Sequence, residues 1–339
     1  MRRSRLRGVI AAVGAASVFF SLPAGASAAS TTSALPAHVY APYFETWTTD
    51  GITATAQASG VKYMTLAFLE SQSKTSCTVG WNGADPLTKY GADIASLRAA
   101  GGDVIPSFGG WSADEAGTEV GDSCKDVATL AGVYENVVTT LNVTRLDMDV
   151  EGRSLNRLDG IDRRNKALKM AEDWAAANGR TLQVSYTLPT NANGPDSASL
   201  YVLQNAVANG TRFDVANIMT FDYYDGVTTD MGGAAIAAAQ GLFSDLQTLY
   251  PSKTSAQLWA MEGNTIMNGI DDYPKKTEVT YPADAQRLLT FAQSVGIGSL
   301  SMWAIQRDNG GCPGARGKNN CSGIAQGTWD FSHILETYS

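Results

Sequence analysis

Apolar and β-branched runs recur at 38–47, 63–71, 103–111, 145–152, 182–189, 215–224, 257–265 and 298–308, and each predicts a strand. Between them, the segments 92–100, 125–141, 163–178, 197–208, 234–250 and 283–295 predict helices. The clearest is 163–178, where Ala167, Leu168, Ala171, Trp174 and Ala175 recur at helical spacing and Gly179 supplies a stop. Strand and helix alternating about eight times predict an α/β fold, a (β/α)8 TIM barrel. An open doubly wound sheet would want a glycine-rich phosphate fingerprint after the first strand, and none is there.

The fourth predicted strand breaks the usual apolar pattern. Asp147, Asp149 and Glu151 alternate with Leu146, Met148 and Val150, so the three acids share one face and the three apolar residues the other. Carboxylates two residues apart on a strand lie roughly 7 Å from one another. At that distance they raise each other's pKa and keep one of them protonated near neutral pH. Such an acid can protonate a glycosidic oxygen. Barrel sites lie at the C-terminal ends of the strands, which puts Glu151 nearest the mouth and Asp147 deepest.

Other strand ends carry Tyr43, Trp47, Trp111, Tyr223, Tyr224, Glu262 and Trp303. Aromatic faces and carboxylates around one mouth suit sugar rings, whose C–H faces stack while their hydroxyls need acceptors. Trp174 on a helix face and Trp259 within a strand read as core, as do Tyr40 and Phe44.

Composition narrows the setting. The chain of 339 residues has a formal net charge of −8. Residues 1–28 join Arg2, Arg3, Arg5 and Arg7 to an apolar run and an Ala-Ser-Ala cleavage pattern, the order of a secretory signal peptide. The remainder is therefore more acidic still, which argues against nucleic acid or an anionic membrane as partner. Residues 29–37 read as a short lead-in and 38–339 as one catalytic domain, secreted and monomeric.

In an oxidising compartment the four cysteines predict disulfides. Three pairings are possible, and the nearness of Cys312 to Cys321 favours Cys312–Cys321 with Cys77–Cys124. No Cys-x-x-Cys occurs, and His38 and His333 lie far apart, so no metal or other cofactor is expected. The position of those two histidines also disfavours Ser-His-Asp chemistry.

Four motifs carry a resemblance. Asp147, Asp149 and Glu151 match the last three acids of Asp-x-x-Asp-x-Asp-x-Glu, and Ser107-Phe108-Gly109-Gly110 matches Ser-x-Gly-Gly on the third strand. Met219 to Tyr223 resembles a sixth-strand segment, and Ser301-Met302-Trp303 an eighth-strand tryptophan. In these motifs and their order the chain resembles the chitinases of glycoside hydrolase family 18, over essentially the whole domain. It departs at Thr144, where the family usually has its first Asp, and at Phe221, where many members have tyrosine.

The resemblance implies an endo-acting enzyme on chitin or N-acetylglucosamine oligosaccharides, with the substrate's own N-acetyl oxygen as nucleophile. Glu151 would be acid and then base, Asp149 would hold the acetamido N–H, and Asp147 would tune Asp149. Tyr223 and Asp222 would orient the acetamido group over Trp303, with Met219, Trp111, Tyr43, Trp47, Glu262 and Gln306 as further substrate contacts. Two other readings share the motifs: an endo-β-N-acetylglucosaminidase acting on protein-linked glycans, and a lectin on a retired catalytic fold. Lectins of this kind commonly lack the terminal Glu, which is present here as Glu151.

Overall fold

A computed structural model describes residues 35–272 and 277–339. The proposed signal peptide and most of the lead-in lie outside the described residues. Eight parallel strands form the (β/α)8 barrel, and their core-facing side chains are almost wholly buried. In order they are Val39–Tyr40 with Tyr43–Glu45, Tyr63–Ser71, Asp103–Gly109, Arg145–Asp149, Gln183–Pro189, Val215–Met219, Glu262–Met267 and Ser299–Trp303.

The first strand is split at Ala41 and Pro42, and its halves serve different neighbours. Val39 and Tyr40 pair with the eighth strand, whereas Tyr43 to Glu45 pair with the second. The backbone N–H of Ala41 still donates to Leu300 (2.9 Å) and that of Thr65 to the Pro42 carbonyl (2.9 Å), so the ring closes across the break. Proline has no N–H of its own to contribute to either ladder.

Helices Gly91–Ala99, Val127–Leu141, Leu158–Ala177, Ser197–Ala208, Met231–Leu249 and Pro282–Val295 fall where sequence periodicity puts them. The helix Ile52–Ser59 does not show in that periodicity, because Thr and Ala make up much of its length and only part of one face is apolar. No helix among the described residues is long and apolar enough to cross a membrane.

The seventh strand corrects the expected register. It starts at Glu262, because Thr254 and Gln257 form a reciprocal capping box that winds Ser255–Trp259 into a short helix. Trp259 accordingly sits on that helix, stacked 4.4 Å from Phe243. Beyond the seventh strand, Gly269–Ile270 pairs with Val279–Thr280 as a small hairpin, with no large insertion. Cys77–Cys124 and Cys312–Cys321 are joined, with Cα separations of 4.5 and 5.9 Å.

Candidate active site

The acid row sits as its alternation predicts. Leu146, Met148 and Val150 are buried in the main hydrophobic core, while Asp147 is enclosed by inward-facing side chains of the neighbouring strands. Register brings Ser107 and Ser185 level with Asp147 on either side. Four hydroxyls donate to its carboxylate: Ser107 (2.6 Å) and Tyr43 (2.9 Å) to Oδ2, Ser185 (2.8 Å) and Thr187 (2.9 Å) to Oδ1. Burial raises the Asp147 pKa and those hydroxyls pull it back down.

Asp149, one step nearer the mouth, has no such shell. It is buried and its Oδ1 has no hydrogen-bond partner. Burial first, then the charges of Glu151, Asp147 and Asp114, push its carboxyl well above the ordinary range. Glu151 stands at the mouth, where burial raises it to about 7 against a hydrogen bond from the Trp111 N–H. The three acids thus differ by environment: one solvated by hydroxyls, one poor in partners, and one an acid near neutral pH.

The Gly109–Gly110 pair permits this approach. Both have positive φ, and a Cβ on Gly109 would come within 2.1 Å of the Asp149 carbonyl oxygen. On Gly110 it would meet the Phe68 ring at 2.5 Å.

Aromatic rings form one flank. Trp303 stacks on Phe68 with centroids 5.6 Å apart and planes 14° apart, and lies 5.5 Å from Tyr43 and 6.1 Å from Trp47. Trp47 and Trp111 are open to solvent, at 44% and 61% exposure. Nothing in the sequence patterning marks Phe68, which reads as one more apolar residue of a buried strand. Tyr43, expected as a mouth aromatic, is instead buried with its hydroxyl on Asp147, so it supports the acid row and offers no open face.

Met219, Tyr223 and Trp303 come together in a cluster completed by Phe221, Met231 and Met267. The loop at Asp222 to Tyr224 is held from the hairpin: Asp271 accepts from the Asp222 N–H (2.8 Å), and Glu278 from those of Tyr223 (2.9 Å) and Tyr224 (3.1 Å). Asp222 and Tyr224 both have positive φ there. Asp222 is pushed up to about 10 by burial and by Asp271, and burial raises the Tyr223 phenol, whose oxygen has no partner. Asp271 and Glu278 escaped sequence reading because they lie in what looked like a plain connection.

Two expected substrate contacts are corrected. Glu262 begins the seventh strand, opposite Ala216 near the start of the sixth, so it belongs to the closed end of the barrel. Gln306 is committed to the first strand's end: its Oε1 accepts from the Glu45 N–H (3.2 Å) and its Nε2 donates to the Glu45 carbonyl (3.2 Å). It steadies the turn leading to Trp47 and has little capacity left for a ligand.

Fold and site together define a (β/α)8 barrel with a graded acid row at an aromatic mouth, the architecture of a glycosidase. The family model described as "Glycosyl hydrolases family 18" matches residues 39–287, and the chain belongs to that family. It is 35% identical over 287 residues to the "Probable bifunctional chitinase/lysozyme" of Escherichia coli (strain K12), covering 81% of this chain and 31% of that protein. It is 35% identical over 286 residues to "Endochitinase 11" of Metarhizium anisopliae, covering 81% of this chain and 53% of that protein. The chain thus spans only about a third to a half of these relatives. Among solved structures, the catalytic domain of a hyperthermophilic chitinase from Pyrococcus furiosus aligns with a TM-score of 0.80 at 30% identity, covering 90% of this chain and 96% of that one.

Proposed function

We propose that the chain is a secreted, endo-acting chitinase that cleaves β-1,4 N-acetylglucosamine linkages with retention of configuration. The observation that carries this reading is the acid row along the fourth strand, with Glu151 at its mouth end raised to about 7 by burial. Family membership and the names of the relatives supply the substrate class.

In the first step the acetamido oxygen attacks C1 while Glu151 gives its proton to the departing glycosidic oxygen. Asp149, with one oxygen unpartnered, takes the acetamido N–H and stabilises the positive oxazolinium ion. Asp147, held by four hydroxyls, supplies fixed negative potential behind it. Glu151, now a carboxylate, removes a proton from water, which attacks C1 from the leaving-group side. Two inversions give retention.

The short connection after the seventh strand, too short for a large inserted domain, supports internal cutting. Digestion of a long soluble N-acetylglucosamine oligomer, wild type beside Glu151→Gln, tests the reading. Mixed internal products from wild type and none from the variant are expected. Disaccharide alone from the first minute counts against endo action, and cleavage of glycoproteins but not chitin oligomers counts against the substrate.

A further inference from the structure

Glu151 lies two residues past the last residue of its strand, Asp149, and the third strand has already ended at Gly109. The Val150 N–H still donates to Thr187 of the fifth strand (2.9 Å). Successive N–H groups of a strand point to opposite neighbours, so the Glu151 N–H faces the side where the third strand has run out. A carboxylate fills that gap: Asp114 Oδ2 accepts a hydrogen bond from the Glu151 N–H.

Asp114 sits on the short helix Trp111–Ala116, and its own N–H donates to Gly110 (3.1 Å). It is fully buried. The arginine behind it, Arg164, is paired with Glu119 at 2.6 Å instead. Burial, then the charge of Glu119, pushes the Asp114 carboxyl well above its ordinary range, which favours a neutral acid with a carbonyl-type acceptor.

The rest of the helix converges on the same residue. The Trp111 N–H faces the Glu151 carboxyl and lowers its pKa, and Glu115 pairs with Arg153 at 2.8 Å. A Cβ on Gly152 would lie 2.7 Å from Glu115 Oε1 and 3.3 Å from the Trp111 ring, so the helix packs directly on the residue after Glu151.

We propose that Asp114 is a positioning residue for hydrolysis: its oxygen replaces the missing strand partner of Glu151 and so sets the direction in which the acid enters the mouth. The inference rests on reading Glu151 as the proton donor. Asparagine keeps an acceptor of the same size, whereas leucine keeps the branched shape and removes the acceptor.

The test measures kcat and KM on an N-acetylglucosamine hexamer for Asp114→Leu, Asp114→Asn and Glu151→Gln, together with hydrogen exchange at the Glu151 amide. Asp114→Leu is expected to lower kcat about 10²-fold with KM within about threefold, as a misaimed catalytic group does. Its Glu151 amide should exchange at least about tenfold faster. Asp114→Asn should stay within about fivefold of wild-type kcat and keep the amide protected.

Equal losses in the Asn and Leu variants, or a wild-type kcat in Asp114→Leu, overturn the proposal while Glu151→Gln remains inactive. Full activity in Glu151→Gln overturns the acid assignment instead, and amide exchange then decides the Asp114 contact by itself. A wild-type Glu151 amide that exchanges as fast as an open loop overturns the proposal whatever the variants do.

Discussion

Glu151, half-buried just past the end of the fourth strand, and Glu262, fully buried at the start of the seventh, are both carboxyls pushed above the ordinary range by loss of water, and they stand at opposite ends of the barrel. Glu151 is raised to about 7 and Glu262 to about 10. Around Glu151 there are the backbone N–H and exposed ring of Trp111 and other acids. Glu262 has no hydrogen-bond partner on either oxygen and 0% exposure. A raised pKa therefore marks burial, and only the end of the strand on which it falls marks chemistry.

The largest effect that could break this contrast is at the mouth. Glu151→Gln is expected to lower hexamer hydrolysis by about 10³-fold or more with unfolding temperature maintained, as loss of a general acid does. Residual activity above a tenth would remove the contrast. Asp149→Asn should cost about 10²-fold in kcat, since it replaces the carboxyl that takes the acetamido N–H beside the oxazolinium ion; an unchanged kcat would leave Glu151 acting without that partner.

The pH profile sharpens the comparison. Glu151 must carry a proton to act, and its pKa is raised to about 7. The rate should therefore hold on the acid side of 7 and fall about tenfold per unit above it. A limb near the ordinary carboxylate value of about 4.3 would show Glu151 to be as wet as any surface acid.

The smallest effect lies at the closed end. The folded-state pKa of Glu262, about 10, exceeds its ordinary 4.5, so its contribution to stability is whole below 4.5 and drains away as pH climbs to 10. Glu262→Met should leave kcat within about twofold and raise stability by about 1–3 kcal/mol at pH 8, with a smaller gain at pH 4. Denaturant titration at the two pH values measures it; an equal gain at both would show that Glu262 titrates in the fold as it does in the unfolded chain.

Most of the barrel was legible because its signals are local. Alternation marked the strands, and the row from Leu146 to Glu151 placed three acids on one face without any knowledge of neighbours. Thr254 and Gln257 also carried a local signal, the spacing of a capping box, and reading them would have moved the seventh strand and taken Glu262 off the mouth. What the sequence hides is contact between distant segments. Tyr43 on Asp147 spans 104 residues, and the grip of Glu278 on Tyr223 spans 55. Asp114 follows a glycine pair that ends a strand, and only the fold reveals that it faces the Glu151 amide.

The broken first strand divides labour around the ring. Its seam lies between the second and eighth strands, beneath Phe68, Trp47 and Trp303, whereas the acids hang from the fourth strand with hydroxyls from the third and fifth. The seam is fastened from below, where the Tyr40 N–H donates to Ser339 Oγ (2.6 Å) and Ile297 O lies 2.8 Å from His38 Nδ1. Loosening at that fastening would shift the tryptophan platform and, through Tyr43, the hydroxyl that holds Asp147. Grip on the polymer and power to cut it therefore occupy different arcs of the ring, coupled through the one tyrosine that reaches from the seam to Asp147.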